Sequence, residues 1–299
     1  MTGYNVLPMQ MVGVDVGGTW IRSGFVDESG VVSCRDKRRT PSERPPNEII
    51  DSIVESIQTV AGADVDVVGI GIPTTVDQRG HMRPCPNLPT MTDVSVATEI
   101  GERIGYPVHV ENDARCYAYG EWSWGAGERC HSMVLITLGT SVGMATIVQG
   151  KILGGFRGEA GEIWRSPLSI DERPTDTNAV VHDILSSQGV RRAYREATGK
   201  SLSAEGIAEQ AAVGDFNAIA VYDAYAFALA RVVSWVRNVM DPEKIVLGGS
   251  FVQEFDLVTA RIEDTAGDTA AAVVKGRLGD EAAIVGAAAI AAHAGEYSI

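Results

Sequence analysis

Cysteine is scarce in this chain, four in 299 residues, and Cys34, Cys85, Cys116 and Cys130 show no CxxC pairing. That spacing argues against zinc ligation and disulfides and predicts buried thiols in a reducing compartment. Basic charge is also short: 25 Lys and Arg face 39 Asp and Glu, a net charge of −14. A nucleic-acid surface needs a basic patch, so no nucleic-acid partner is expected. Nucleotide binding stays open, because phosphates are held by local backbone N–H groups and Mg2+ rather than by the global field. No segment reaches about 18 uninterrupted apolar residues, and the opening MTGYNVLPMQMVGVD lacks a basic region before an apolar run. No membrane span and no signal peptide are predicted, and the expected location is the cytoplasm.

What is present is a regular alternation of strand and helix patterns. Val12, Val14 and Val16 alternate up to Gly17-Gly18; Ile21–Val26 follows, Asp27–Gly30 reverses the chain, and Val31–Arg35 makes a third strand. A helix fits Asn47–Ala61, with Asn47 as cap and Ile49, Ile50, Ile53, Ile57 and Val60 on one face. Val65–Ile72 reads as a buried strand, Val94–Ile104 as a helix, and Val108–Val110 as a short strand entering Asn112-Asp113. Met133–Leu153 then repeats the opening theme of strand, glycine turn, strand, hairpin and strand, which predicts a duplicated domain. Helices are predicted over Asn178–Thr198, Ala204–Ala212 and Phe216–Met240, a strand over Ile245–Leu247, and an Ala-rich helix over Ala282–Ala292. The expectation is an α/β chain of two lobes with a cleft between them. Residues 1–113 with 282–299 form the smaller lobe and 114–281 the larger.

Three glycine turns follow apolar strands. Asp15-Val16-Gly17-Gly18-Thr19 offers a carboxylate that can hold Mg2+ through water, glycines that let the backbone approach phosphate oxygens, and a hydroxyl donor. Gly139-Thr140 and Gly248-Gly249 are the other two. Each alone also fits a plain hairpin that needs glycine. Between them, Glu111-Asn112-Asp113-Ala114 reads either as an N-cap or as a site where Asp113 accepts the proton of an attacking hydroxyl. Glu162, after Gly158 and Gly161, is either a solvated charge or an acceptor for sugar hydroxyls.

In the order DxGGT, GTxxG and LGG, the turns resemble the phosphate-1, phosphate-2 and adenosine elements of the actin-like ATPase fold, which is ribonuclease H-like. Joined with VGIGIPTTVD, PNLP, VENDARCYAYGEW, GEAGEI and DPEKIVLGGSFV, the pattern from Val12 to Ala292 resembles the ROK family of sugar kinases (repressor, open reading frame, kinase). The resemblance implies ATP as phosphoryl donor with Mg2+, bound by Asp15, Gly17, Gly18, Thr19, Gly139, Thr140, Gly248 and Gly249. It implies Asp113 as general base and sugar contacts from Asn87, Asn112, Asp113 and Glu162. A homodimer or homotetramer is the expected assembly.

Departures from the family pattern bear on the substrate. Ser166–Val181 holds no cysteine where zinc-bearing members carry a cysteine run, so no zinc site is expected. Arg165 stands where a sugar-facing His is usual, and Asp183 stands for a glutamate four residues before Ser187. Ser141 and Met144 occupy glycine positions of the phosphate-2 turn, and Thr74 stands where glycine often follows Pro73. A pocket that discriminates by hydrogen bonds loses affinity, by about a few kcal/mol, when a partner is missing. The expected substrate is therefore a modified glucose such as kanosamine (3-amino-3-deoxyglucose), phosphorylated on its 6-hydroxyl and handled in antibiotic pathways, with Glu162 and Asp183 facing its ammonium. Glucose, mannose, allose, N-acylmannosamine and a cyclitol are the alternatives. A repressor carries an N-terminal DNA-binding domain of roughly 70–80 residues, whereas only 14 residues precede Asp15 here. A silent sugar sensor would normally lose the base, and Asp113 is present.

Overall fold

Alternating valines carry β1 (Met11–Val16) into a turn, and β2 (Trp20–Val26) and β3 (Val32–Arg39) follow as antiparallel neighbours. The structure, a computed structural model, describes residues 9–62, 65–77, 80–168, 179–250 and 272–293. After α1 (Pro46–Val60) come β4 (Val67–Ile72), α2 (Val96–Ile104), β5 (Val108–Asn112) and α3 (Asp113–Trp124). These build a sheet of order β3-β2-β1-β4-β5, with β1, β4 and β5 parallel. Its register sets Asp15 beside Gly71, Gly71 beside Glu111 and Ile72 beside Asn112. Three carboxyl-terminal strand ends therefore open on one edge, where ligands of such sheets bind.

The second sheet comprises β6 (Ser132–Leu138), β7 (Val142–Val148), β8 (Lys151–Ile152), β9 (Lys244–Gly248) and β10 (Ala272–Lys275), in the order β10-β9-β6-β7-β8. Counted in chain order, both sheets have the same plan: a strand and two hairpin neighbours on one side, two later parallel strands on the other. That shared order is what the repeated glycine-turn theme predicts. Between β8 and β9 run α4 (Val181–Leu185), α5 (Ser187–Thr198), α6 (Ala204–Ala212) and α7 (Phe216–Met240). The last helix among the described residues is α8 (Ala282–Ala292).

The chain clusters into two units: Met1–Arg129 with Ile147–Ala160 and Asp280–Ile299, and Cys130–Thr146 with Gly161–Gly279. The boundary expected at residue 113 thus shifts, because α3 packs on α8 and stays with the first unit. Each unit has its own core. In the first, the apolar face of α1 (Ile49, Ile50, Ile53, Ile57, Val60) is buried, at roughly 1.5–3 kcal/mol per side chain. In the second, α7 buries Tyr222, Tyr225, Leu229, Val232 and Val233. By length and composition α7 could span a bilayer, yet over half of its most apolar 18-residue stretch is buried within the protein, as in the core helix of a soluble fold.

α8 is buried on nearly every side because its neighbours are glycines. A Cβ at Gly13 would stand 1.9 Å from the Ile284 carbonyl oxygen, one at Gly69 1.9 Å from that of Ala287, and one at Gly120 2.2 Å from that of Ala282. Close backbone approach of this kind is open to glycine alone.

Three local expectations need correction. Helix α1 begins after Pro45, with Asn47 inside it rather than capping it. The helix expected over Asn178–Thr198 is broken at Ser186, whose side chain accepts the Gly189 N–H and starts α5 anew; Asn178 lies outside the described residues. Cys34 is exposed, at φ 45° on edge strand β3 where the ladder with β2 slips register, whereas Cys85, Cys116 and Cys130 are buried as expected.

Candidate active site

In the first unit, β1 delivers Asp15 to the sheet edge. Burial pushes its carboxyl above the usual carboxylate range, and the Arg22 guanidinium, donating to Oδ2 at 3.2 Å, opposes that shift in part. The turn that follows is closed by the Gly17 N–H on the Trp20 carbonyl at 2.9 Å and fastened by the Thr40 hydroxyl on the Gly17 carbonyl at 2.6 Å. A Cβ on Gly18 would meet the Asn87 carbonyl oxygen at 3.0 Å, so this glycine lets the turn lie against Asn87. Thr19 and Asn87 are both exposed. Trp20 lies under Arg39 and Lys37, 4.2 and 4.7 Å from the ring centroid, which accounts for it as a cation–π platform between strands.

Asp113 is the first residue of α3, directly beyond the end of β5. The Asn112 side chain caps the helix by accepting the Arg115 N–H at 3.2 Å and donates its amide to the Thr74 carbonyl at 3.3 Å. Asp113 Oδ1 accepts the Ala114 N–H at 2.7 Å at the positive end of the helix. The capping reading of this segment is borne out for Asn112, and Asp113 occupies the first position of the helix. Behind them Cys116 is fully buried. Burial pushes its thiol well up, and the negative charges of Glu111, Asp113 and Asp15 push it further. Asp15 and Asp113, 98 positions apart in sequence, thus share one neighbourhood.

In the second unit, two glycine turns meet. Gly249, at φ 90°, passes so close to β6 that a Cβ would stand 2.3 Å from the Leu138 carbonyl oxygen, and Gly139 abuts the Ser250 hydroxyl. The Gly139 carbonyl accepts the Ser187 N–H at 2.8 Å, tying the start of α5 to the same turn. Thr140 is exposed at its tip, and Gly248 is buried in β9. Ser141 reaches His182 Nδ1 at 3.3 Å.

His182 also lines a cavity of about 370 Å³ with Asp183, Gln188, Arg191, Arg192 and Arg195. Glu162 Oε2 accepts the Trp164 indole N–H at 2.6 Å and lies 3.6 Å from Arg165, which is exposed over the Trp164 ring. The Asp183 carboxylate accepts the Val180 N–H at 3.1 Å and pairs with Arg192 at 3.7 Å. The two carboxylates assigned to a substrate ammonium therefore each sit beside an arginine.

Sequence reasoning missed four contributors: Arg22, Arg115, Cys116 and the arginines of α5. Arg22 left a trace in the pattern, because alternation along β2 places it opposite Asp15 in the β1–β2 ladder. The arginines at 191, 192 and 195 recur at helical spacing on α5, but nothing local says that they face a cavity.

Against known proteins, the sequence profile of the ROK family matches residues 11–294. The chain is 29% identical to a glucokinase of Thermotoga maritima, over 91% of this chain and 99% of that protein. It is 28% identical to an N-acetyl-D-glucosamine kinase of Photobacterium profundum, over 82% and 85%. Among solved structures it matches a ROK family glucokinase from Streptomyces griseus in complex with glucose and AMPPNP, with a TM-score of 0.81, 27% identity and coverage of 95% and 99%. A match that spans nearly the whole chain in sequence and in fold settles the lineage: this protein belongs to the ROK family.

Proposed function

We propose that this protein transfers the γ-phosphoryl group of ATP to the 6-hydroxyl of a hexose. The observation that carries the reading is the placement of Asp113 at the mouth of α3, in one neighbourhood with Asp15. Asp113 accepts the proton of the sugar hydroxyl as its oxygen bonds to the γ-phosphorus and the bond to the ADP oxygen breaks. Phosphoryl transfer of this loose kind needs positioning more than a strong base, so a carboxylate at a helix N-terminus is adequate. Asn87, Asn112 and Glu162 bind and orient the sugar, and the backbone N–H groups of the glycine turns hold the phosphates. The nucleoside end is assigned to the cavity beside Ser141 and His182, which has the volume of a small-ligand cleft and three arginines to lie against a base and phosphates.

Mg2+, when bound, neutralises charge on the phosphates. Among the described residues no group of three or more His, Cys, Asp or Glu could hold a metal. Mg2+ does not need one, since it is held through one or two carboxylates, waters and substrate phosphates. Asp15 is an oxygen donor of that kind, and the residues present fit the ion.

The finer substrate reading is an amino sugar of the kanosamine kind, supported by Arg165 and Asp183 at positions where His and Glu are usual. Glucose is the second reading. It is favoured by Arg165 and Arg192, which already sit beside Glu162 and Asp183, and by the kinship to glucokinases. We further place the enzyme in the cytoplasm as a homodimer or homotetramer, and α7 offers exposed Phe216, Ile219, Trp235 and Val239 for self-association.

Coupled ADP release against glucose, mannose, allose, N-acetylmannosamine, kanosamine and a cyclitol tests the activity. Asp113→Asn should lower kcat by about 10²–10⁴-fold while ATP affinity stays near wild type. Wild-type turnover in that variant removes the assigned base, and a kcat/KM for glucose far above that for kanosamine removes the amino-sugar reading.

A further inference from the structure

Arg115 stands two residues beyond Asp113 on α3, and it is almost fully buried. A buried guanidinium is costly unless its donors are satisfied, and here they converge on a single loop. Nη1 pairs with Glu111 Oε1 at 3.2 Å, while Nη2 reaches the carbonyl oxygens of Gly154 at 3.1 Å, Gly158 at 2.8 Å and Ala160 at 3.5 Å. The same loop is gripped from a second element: Arg83 Nη1 pairs with Glu159 at 3.3 Å and Nη2 donates to the Arg157 carbonyl at 3.3 Å. Gly155 and Gly158, both at positive φ, bend the loop so that its carbonyls can turn toward one point.

The last carbonyl that Arg115 holds, on Ala160, precedes Gly161-Glu162 directly. Gly161 leaves little slack, since a Cβ there would stand 2.1 Å from the Met144 carbonyl oxygen. One end of the Arg115 residue therefore completes the helix cap next to the base, through its N–H on Asn112. The other end fixes the segment that leads into the sugar-binding glutamate.

We infer that Arg115, assisted by Arg83, is a positioning residue for the sugar acceptor: it ties loop 154–160 to the N-terminal turn of α3. The inference rests on the kinase reading above and adds to it a residue that touches neither substrate. Lysine cannot replace it, because a single ammonium lacks the fork that reaches Glu111 and the carbonyls together.

Arg115→Lys keeps the buried charge, and Arg83→Met removes the partly exposed grip, so the two variants loosen the loop by different routes. Two measurements are made on the full-length protein. The first is the rate of tryptic cleavage after Arg157, whose side chain is exposed at the loop's tip. The second is steady-state kinetics with sugar and ATP varied separately.

Cleavage after Arg157 should accelerate at least 10-fold in both variants. The sugar KM should rise by about 10-fold or more, with the KM for ATP within twofold of wild type. Unchanged cleavage overturns the clamp. Accelerated cleavage with an unchanged sugar KM overturns the positioning role, as does an equal rise in both KM values. If the wild-type protein phosphorylates no sugar, the kinase reading fails and takes the positioning role with it, while the cleavage rates still decide the clamp.

Discussion

Replacing Gly13 by alanine adds one methyl group at a tightly confined point of the first unit. The new Cβ would lie 1.9 Å from the Ile284 carbonyl oxygen and 2.7 Å from its carbon, both backbone atoms of a buried helix. No side-chain rotation relieves such a clash, so α8 must retreat by about 1 Å from a close-packed seat. Overpacking of this kind costs typically 1–3 kcal/mol, and the retreat also strips contacts from Gly69, the register partner of Gly13. We expect a loss near the upper end, about 3 kcal/mol, and a Tm lower by roughly 6–10 °C. Gly13 is two residues before Asp15 on the same strand, so kcat should fall with Tm.

The control is Gly62→Ala. Nothing lies within 4 Å of an added Cβ there, and its Tm should stay at or slightly above wild type. Thermal unfolding followed by far-UV circular dichroism, with coupled kinetics at 25 °C, reads both effects. A Gly13→Ala protein melting within 1–2 °C of the Gly62→Ala control would refute the argument that glycine spacing seats α8.

Asp15→Asn should separate stability from activity. Because burial raises the Asp15 pKa above its unfolded value, the native state binds that proton more tightly than the unfolded chain does, and the ionised form costs stability at neutral pH. A tenfold difference in proton affinity between the two states corresponds to about 1.4 kcal/mol. The asparagine variant should therefore melt higher by a few degrees at pH 8, the gain shrinking as pH falls through the raised value, while kcat drops at least 100-fold. A lower Tm at pH 8 would count against this sign. For the thiols, a disulfide reagent such as DTNB should titrate one cysteine per native chain, Cys34, and four after unfolding. Mass mapping to Cys116 in the native protein would contradict its burial.

Legibility in the sequence tracked the range of the interaction. The glycine turns at 17–18, 139–140 and 248–249 were readable because a tight turn states its need locally, and the Ala-rich run matched α8 residue for residue. What that helix sits on was not readable. Gly13, Gly69 and Gly120 come from three separate elements, and each alone is only a small residue in a strand or helix. The break at Ser186 escaped because apolar spacing runs across it, whereas a short cap between its hydroxyl and Gly189 decides the geometry. Arg115 escaped for the opposite reason: its i,i+4 spacing from Glu111 suggests an ordinary surface pair, and only the loop 39 to 45 residues away makes it a buried one. The exposure of Cys34 depends on a register slip that no local pattern announces.

Charge, finally, constrains how the two duplicated sheets divide the work. The open edge of the first sheet carries Asp15, Glu111 and Asp113, with Arg22 and Arg115 each committed to one of the first two. Phosphate oxygens placed there without a cation would face uncompensated negative charge, and Coulomb repulsion at about 4 Å costs roughly 4 kcal/mol per pair at the effective dielectric of a protein surface. A neutral polyol faces no such penalty, and carboxylates are suitable acceptors for its hydroxyls. The corresponding edge of the second sheet carries no carboxylate on its glycine turns and has Arg191, Arg192 and Arg195 in the cavity beside them. One strand plan used twice thus yields one edge rich in carboxylates and one with an arginine-lined cavity beside its turns. On the kinase reading proposed above, Asp15 is the carboxylate of the first edge that would hold Mg2+ as the phosphates approach.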